Sequence, residues 1–373
     1  MTRSNSGGAP IETLRAAAYR IPTDRPEADG TYSWNATTLV VVHAGVNGRT
    51  GLGYTYADAA AVPVIDGLLL AAVKGCDSFD IPGAWLAMQK SVRNLGRSGV
   101  AACAISAVDA ALWDVKARAL DLPLAALLGR CRDEVAIYGS GGFTSYTDEE
   151  LRDQLSGWVE RDGCRFVKMK IGSEPARDPQ RVRQAKSAIG DRELFVDANG
   201  AFSVKQALNF ADVCGDADIR WFEEPVTSDD LPGLRLVRER APPTMEVAAG
   251  EYIYSSDDAR AMLQANAVDV LQADATRCGG ITGFLQIGTL CEAHHIDLSA
   301  HCAPALHRHV GCAVPRLRHL EWFHDHVRIE QMLFDGAPVA RDGAIAPDLG
   351  RPGHGIAFKH KEAERFRING AAQ

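Results

Sequence analysis

This 373-residue sequence has no excess of positive charge, no closely paired cysteines and no long apolar run. Forty Lys and Arg against 48 Asp and Glu leave a net charge of −8 and a pI near 5.8. Without a basic stripe, a nucleic-acid role has no electrostatic footing, and an anionic ligand has to be held by local charge or a metal. The nine cysteines are odd in number and never fall as C-x-x-C, so they read as reduced thiols and argue against a disulfide frame or zinc knuckle. No apolar stretch approaches the roughly 20 residues that cross a bilayer. The opening MTRSNSGGAP lacks the apolar segment of a secretory signal. A cytoplasmic protein that engages neither membrane nor nucleic acid is expected.

Hydrophobic residues at 46% and charged residues at 24% are those of an ordinary globular chain, too long for one ordinary domain. Residues 11–21, 36–45 and 51–56 are strand candidates, followed by helical patterns over 58–73 and 82–95. Residues 98–119 form the strongest helix candidate, with small side chains suited to close packing. Between the first two strands, PTDRPEADGTYSWN (22–35) is a long, polar, turn-rich loop, of the kind that serves as a lid.

From residue 134 onward, apolar strand-like runs alternate with helical stretches. EVAIYGSGG, FVKMKIG, LFVDANG, RWFEEP, EVAAGE, VDVLQAD, DLSAHC and HLEWF make eight. Beginning at Lys170, the polar residues that close these runs are Asp197, Glu223, Glu251, Asp274, His301 and Glu321, at steps of 27, 26, 28, 23, 27 and 20 residues. Such steps fit one strand, one helix and two loops, the period of a (β/α) barrel whose functional side chains sit at the C-terminal strand ends. The expected fold is α/β: an N-terminal α+β capping domain over 1–130, a TIM-type (β/α) barrel over 131–325, and a segment, 326–373, that packs back on the cap.

Each marked residue has a chemical reading. Asp197, Glu223 and Glu251 end consecutive strands and aim hard anionic oxygens at one spot, which suits Mg²⁺. Glu224 falls on the opposite face if strand alternation continues, and so is expected behind the site. Lys168 and Lys170 are two apart and share a face; buried together, each ammonium disfavours the other, and a base working near neutral pH needs a lysine brought down from about 10.4. Asp274 and His301 end neighbouring strands, where a carboxylate fixes an imidazole tautomer. Two H-x-H pairs, His307 with His309 and His324 with His326, are expected in loops, and Cys302 as a small buried hydrophobe.

K-x-K (Lys168, Lys170), D-x-N (Asp197, Asn199), W-x-E-E-P with Glu223, G-E with Glu251, D-x-x-x-x-G-G with Asp274, S-x-H with His301 and L-E-W with Glu321 occur in one order. In that order the chain resembles the enolase superfamily, specifically its mandelate racemase group, across nearly its whole length. Arg277 stands where a lysine is often found three residues after the aspartate.

The resemblance implies Mg²⁺ on Asp197, Glu223 and Glu251, with a catalytic set of Lys168, Lys170, Asp274, His301 and Glu321. Lys170 is then the base on one face of the substrate and His301 the base on the other. Lys168 lowers its neighbour's pKa and touches the substrate carboxylate, Glu321 is held protonated as a hydrogen-bond donor, and Asn199 touches the 2-hydroxyl or the metal shell. The common step removes a proton α to a carboxylate and gives an enediolate. Two outcomes follow: loss of a β-hydroxyl, which is sugar-acid dehydration to a 2-keto-3-deoxy acid, or reprotonation from the other face, which is racemisation or epimerisation of a 2-hydroxy acid. Dehydration is favoured, because the lid is polar and Arg25 and Trp34 are suited to touch a sugar acid. The expected partner is a small-molecule carboxylate, and the chain is expected to form a homo-oligomer. A barrel that only binds would not need the lysine pair, the His–Asp pair and the metal set together.

Overall fold

The computed structural model describes residues 7–368; the first six residues of the polar N-terminal stretch and the last five of the tail lie outside them. Three antiparallel strands open the chain: β1 (Thr13–Ala28), β2 (Ser33–Val46) and β3 (Arg49–Tyr56). The buried helix Val100–Ala119 lies against β3, where a side chain at Gly53 would meet Ala107 O at 2.0 Å and one at Gly51 would meet Ala111 O at 2.1 Å. Small residues on both partners make that approach possible.

The stretch 22–35 is not the irregular loop expected from its composition. Pairing resumes beyond a register shift between Pro22 and Glu27, with Glu27 opposite Trp34 and Ala28 opposite Ser33. Its turn formers are absorbed in that bulge and in a tight tip, where Asp29 accepts hydrogen bonds from the backbone of Thr31 (2.6 Å) and Tyr32 (2.7 Å). The lid is the end of a hairpin.

Eight parallel strands then close on themselves: β4 (Val135–Gly141), β5 (Phe166–Lys170), β6 (Glu193–Asp197), β7 (Ile219–Glu223), β8 (Glu246–Ala249), β9 (Val270–Ala273), β10 (Asp297–Ala300) and β11 (Leu317–Phe323). Closure comes from β11 pairing with β4, which sets Glu321 beside Tyr138. Tyr138, Phe195, Trp221, Ala248 and Val270 fill the barrel's interior beneath the site. Helices cover the outside, each hiding an apolar stripe. In the tail, Ala344–Ile345 adds antiparallel to β4, while Phe358 packs on Tyr19 and Phe334 on Tyr54, each pair 5.1 Å between ring centres. Among the described residues, no helix is long and apolar enough to cross a membrane.

The H-x-H histidines are helical, and three of the four are buried, contrary to expectation. His307 and His309 lie in the helix Pro304–Val310; His307 accepts from Ala275 N (2.9 Å) and bonds Cys302 O (2.8 Å), and His309 bonds His354 O (2.8 Å). They satisfy buried backbone groups that a loop would leave to water. His324 and His326 begin the helix His324–Leu333, His326 stacked on Tyr56 at 3.4 Å.

Candidate active site

Register assembles the site. Parallel pairing sets Lys170 beside Asp197, Asp197 beside Glu223 and Glu223 beside Ala248, so the functional side chains stand at one level at the barrel mouth. Glu251 reaches the same level two residues past β8, after Gly250. That glycine has φ +138°, and a Cβ there would lie 2.1 Å from Gln272 O, so no other residue carries the chain through this turn.

Donor atoms of Asp197, Glu223 and Glu251 lie within 4.8 Å of one another, and all three residues are buried. Trp221 Nε1 donates to Glu223 Oε2 (2.8 Å), and Asn199 N to Asp197 Oδ1 (2.9 Å). The lysines feed positive charge into the cluster. Lys170 Nζ is 2.5 Å from Asp197 Oδ2; Lys168 Nζ is 3.2 Å from Asp197 Oδ2, 2.8 Å from Glu321 Oε1, and also bonds Glu223.

Even so the cluster is short of cations. Burial and the Asp197 charge push Glu223 up to about 8, while Lys170 and Lys168, working against burial, hold Asp197 below the usual carboxylate range. Two buried oxygens on residues next to the ligand positions have no partner, Glu224 Oε1 and Asn199 Oδ1. An oxygen-rich, under-neutralised set of this kind fits a hard divalent cation.

Glu224 departs from the alternation argument. The strand ends at Glu223, and Glu224 takes a left-handed backbone (φ 37°). Burial, then the charges of Glu251, Asp197 and Glu223, hold its carboxyl well above the usual range, while it is not one of the three clustered donors and does not line the cavity.

On the other side of the mouth, His301 Nδ1 is 2.9 Å from Asp274 Oδ2, and Asp274 Oδ1 accepts from Thr276 N and Oγ1, both at 2.7 Å. His301 Nε2 points toward Glu251 Oε2 (3.3 Å), Glu321 Oε2 (3.5 Å) and Cys302 Sγ (3.3 Å). Burial opposes the imidazolium, but Cys302, Glu321, Glu251 and Asp274 together hold the His301 pKa well above its ordinary value.

Opposing influences meet at Lys170 and Glu321. Burial and Lys168 both work to lower Lys170, yet the carboxylates of Asp197, Glu251 and Glu223 together outweigh them and the net shift is upward. Burial likewise favours a protonated Glu321, but Lys168 and His301 reverse it and keep the carboxyl ionised. In both cases burial is the largest single influence, and several opposite charges together exceed it.

Lys170, Asn199, Glu251, His301 and Glu321 line one cavity of about 400 Å³, together with Trp34 from the lid. Tyr32, beside Trp34 in the lid, lines it as well; Tyr56, Asp58, Tyr252, Arg277 and Cys302 line it too, and were not singled out for the site. Ser140, which donates to Glu321 Oε1 (2.6 Å), and Trp221 were missed as well. Both lie on barrel strands at positions facing inward, a signal the spacing already carried. Arg25 is elsewhere: exposed, it pairs with Glu150 at the start of the first barrel helix, Asp148–Arg161. A larger groove, about 590 Å³ along Ser98, Thr227, Tyr252 and Asp258, contains none of the strand-end bases or carboxylates.

Two family models together span most of the chain: Mandelate racemase / muconate lactonizing enzyme, N-terminal domain over residues 16–129, and Enolase C-terminal domain-like over 150–363. The chain belongs to this family. It is 31% identical to the 3,6-anhydro-alpha-L-galactonate cycloisomerase of Streptomyces coelicolor, over 96% of this chain and 99% of that one. It is 30% identical to the L-talarate/galactarate dehydratase of Salmonella typhimurium, over 96% and 91%. Among solved structures, a mandelate racemase/muconate lactonizing enzyme-like protein from Rubrobacter xylanophilus superposes with TM-score 0.94 at 49% identity, covering 96% of this chain and all of that one. A racemase from Streptomyces coelicolor with bound magnesium follows at TM-score 0.90 and 30% identity, covering 96% and 100%.

Proposed function

We infer that this protein is a magnesium-dependent enzyme that removes the proton α to a carboxylate and, in its main reaction, dehydrates a sugar acid to a 2-keto-3-deoxy acid. One observation carries the reading: Lys170 and His301, the latter held by Asp274, enter one cavity from well-separated strands, with the three-carboxylate cluster on the strands between them. Asp197, Glu223 and Glu251 would hold the ion, which supplies positive charge next to the substrate carboxylate.

Lys170, in its neutral form, takes the α-proton. Lys168, fully buried, stays cationic and offsets charge at the carboxylate. His301, held as imidazolium by its acidic neighbours, gives its proton to the departing β-hydroxyl; Asp274 fixes the ring and its tautomer. The resulting enol becomes the 2-keto acid. Asn199 and Trp34 line the cavity and are proposed to touch the substrate. Arg25 is proposed to act by fixing the lid to the barrel through Glu150.

A second reading rests on the cycloisomerase relative. With an anhydro-sugar acid the leaving oxygen at the β-carbon belongs to a ring and stays attached, so the same residues would open the ring without loss of water. Racemisation is the third outcome, when the enediolate is simply reprotonated. A panel of aldonates, aldarates and anhydro-sugar acids, assayed with Mg²⁺ by mass spectrometry and chiral analysis, separates the three. Products lighter by one water mean dehydration, isomers with a new keto group mean ring opening, and inverted substrate means racemisation. The nine unpaired cysteines support a cytoplasmic setting.

A further inference from the structure

A second set of metal-binding side chains joins the lid to the barrel. Asp24 and Glu27 lie where the β1–β2 hairpin shifts register, and His324 begins the helix that follows β11. One donor atom from each lies within 4.8 Å of the others, and His324 Nε2 is 3.0 Å from Asp24 Oδ2.

Glu27 is the residue that calls for a ligand. Its side chain is wholly buried; Oε2 accepts from Trp34 Nε1 (2.7 Å), while Oε1 has no partner. A buried carboxylate oxygen left unpaired is costly, and native proteins satisfy such atoms. The nearby cations are already committed: Arg328 to Asp325 (3.1 Å) and Arg25 to Glu150. Burial, followed by the Asp325 charge, pushes Glu27 up to about 8.

We propose that Asp24, Glu27 and His324 form a second divalent-cation site, separate from the strand-end carboxylates and suited to a borderline transition ion such as zinc. One imidazole and two carboxylates match that class better than Mg²⁺, which prefers an all-oxygen octahedron. The ion pins the lid, because Glu27 also holds Trp34, and His324 directly follows Phe323; both Trp34 and Phe323 line the active cavity.

The test uses tag-free protein kept saturated with Mg²⁺, dialysed against low-micromolar Zn²⁺, with bound metal counted by mass spectrometry. About one Zn²⁺ per chain is expected in wild type and in Glu223→Gln, with affinity falling about tenfold or more in His324→Ala. Asp24→Asn, at an exposed position, gives the same readout without threatening the fold. Wild type that retains no zinc, zinc that depends on Glu223, or zinc indifferent to His324 and Asp24 overturns the proposal.

Discussion

Asp274 holds His301 by one oxygen and is itself held by the other: Oδ2 lies 2.9 Å from His301 Nδ1, and Oδ1 takes two hydrogen bonds from Thr276. The imidazole is thereby fixed with Nε2 facing the cavity. Asp274→Asn keeps the shape but loses the charge that supports the imidazolium, so kcat should fall about a thousandfold with KM nearly unchanged. The basic limb of the pH–rate profile should also move to lower pH, since the His301 pKa drops toward its ordinary value. Unchanged kcat and pH profile would remove Asp274 from the mechanism.

Magnesium and protons should compete at the carboxylate cluster. Glu223, up at about 8, binds a proton that a cation displaces, and a cation on Asp197 also strips Lys170 of the charge that raises it. Binding should therefore release protons and tighten as pH rises from 6 toward 8. Calorimetry in buffers of differing ionisation enthalpy reads this directly; in Glu223→Gln the Mg²⁺ affinity should drop about a hundredfold or more. A pH-independent affinity would contradict the assignment.

Glu330 gives a stability prediction away from the chemistry. It is buried, accepts from Tyr54 Oη (2.6 Å) and Ala305 N (2.8 Å), and burial pushes its pKa up to about 8 despite both bonds. A raised folded-state pKa means that its contribution is fully present below the unfolded value, near 4.5, and is lost as pH rises through about 8. Glu330→Gln, which retains neutral hydrogen bonding, should flatten the fall of wild-type stability over that window by an amount on the order of a few kcal/mol. Urea unfolding of both proteins at pH 5 and pH 8.5 measures it; parallel curves would show that Glu330 carries no such proton.

For the lid, Trp34 and Arg25 separate contact from latching. Trp34→Ala removes a cavity wall and should shift substrate preference, seen as altered kcat/KM ratios across sugar acids. Arg25→Ala breaks only an exposed ion pair with Glu150, worth roughly 0–1 kcal/mol, and should raise KM for all substrates alike with little change in melting temperature. A large stability loss in Trp34→Ala with unaltered preference would make it a packing residue.

Strand order and the strand-end residues were legible because a barrel repeats: one residue per unit, at steps set by strand and helix length, needs no knowledge of packing. Glu224 was set apart from the metal set by strand alternation, but the strand ends at Glu223, and a left-handed residue is a local backbone event that the pattern E-E-P does not announce. The states of Lys170 and Glu321 depend on which charges closure brings into contact, here Asp197 and Lys168, and sequence spacing gives no distances. The hairpin over 22–35 was hidden by its turn formers, which the register shift absorbs. Trp221, two residues before Glu223 on the same strand face, could have been named from period alone.

Deuterium incorporation into unreacted sugar acid in D₂O, followed by NMR for wild type, His301→Asn and Lys170→Ala, bears most directly on the division of labour between the two bases. If Lys170 removes the α-proton and His301 releases the β-hydroxyl, His301→Asn forms no keto acid yet still exchanges the α-proton, and Lys170→Ala does neither. Exchange that persists in Lys170→Ala and vanishes in His301→Asn would contradict these roles.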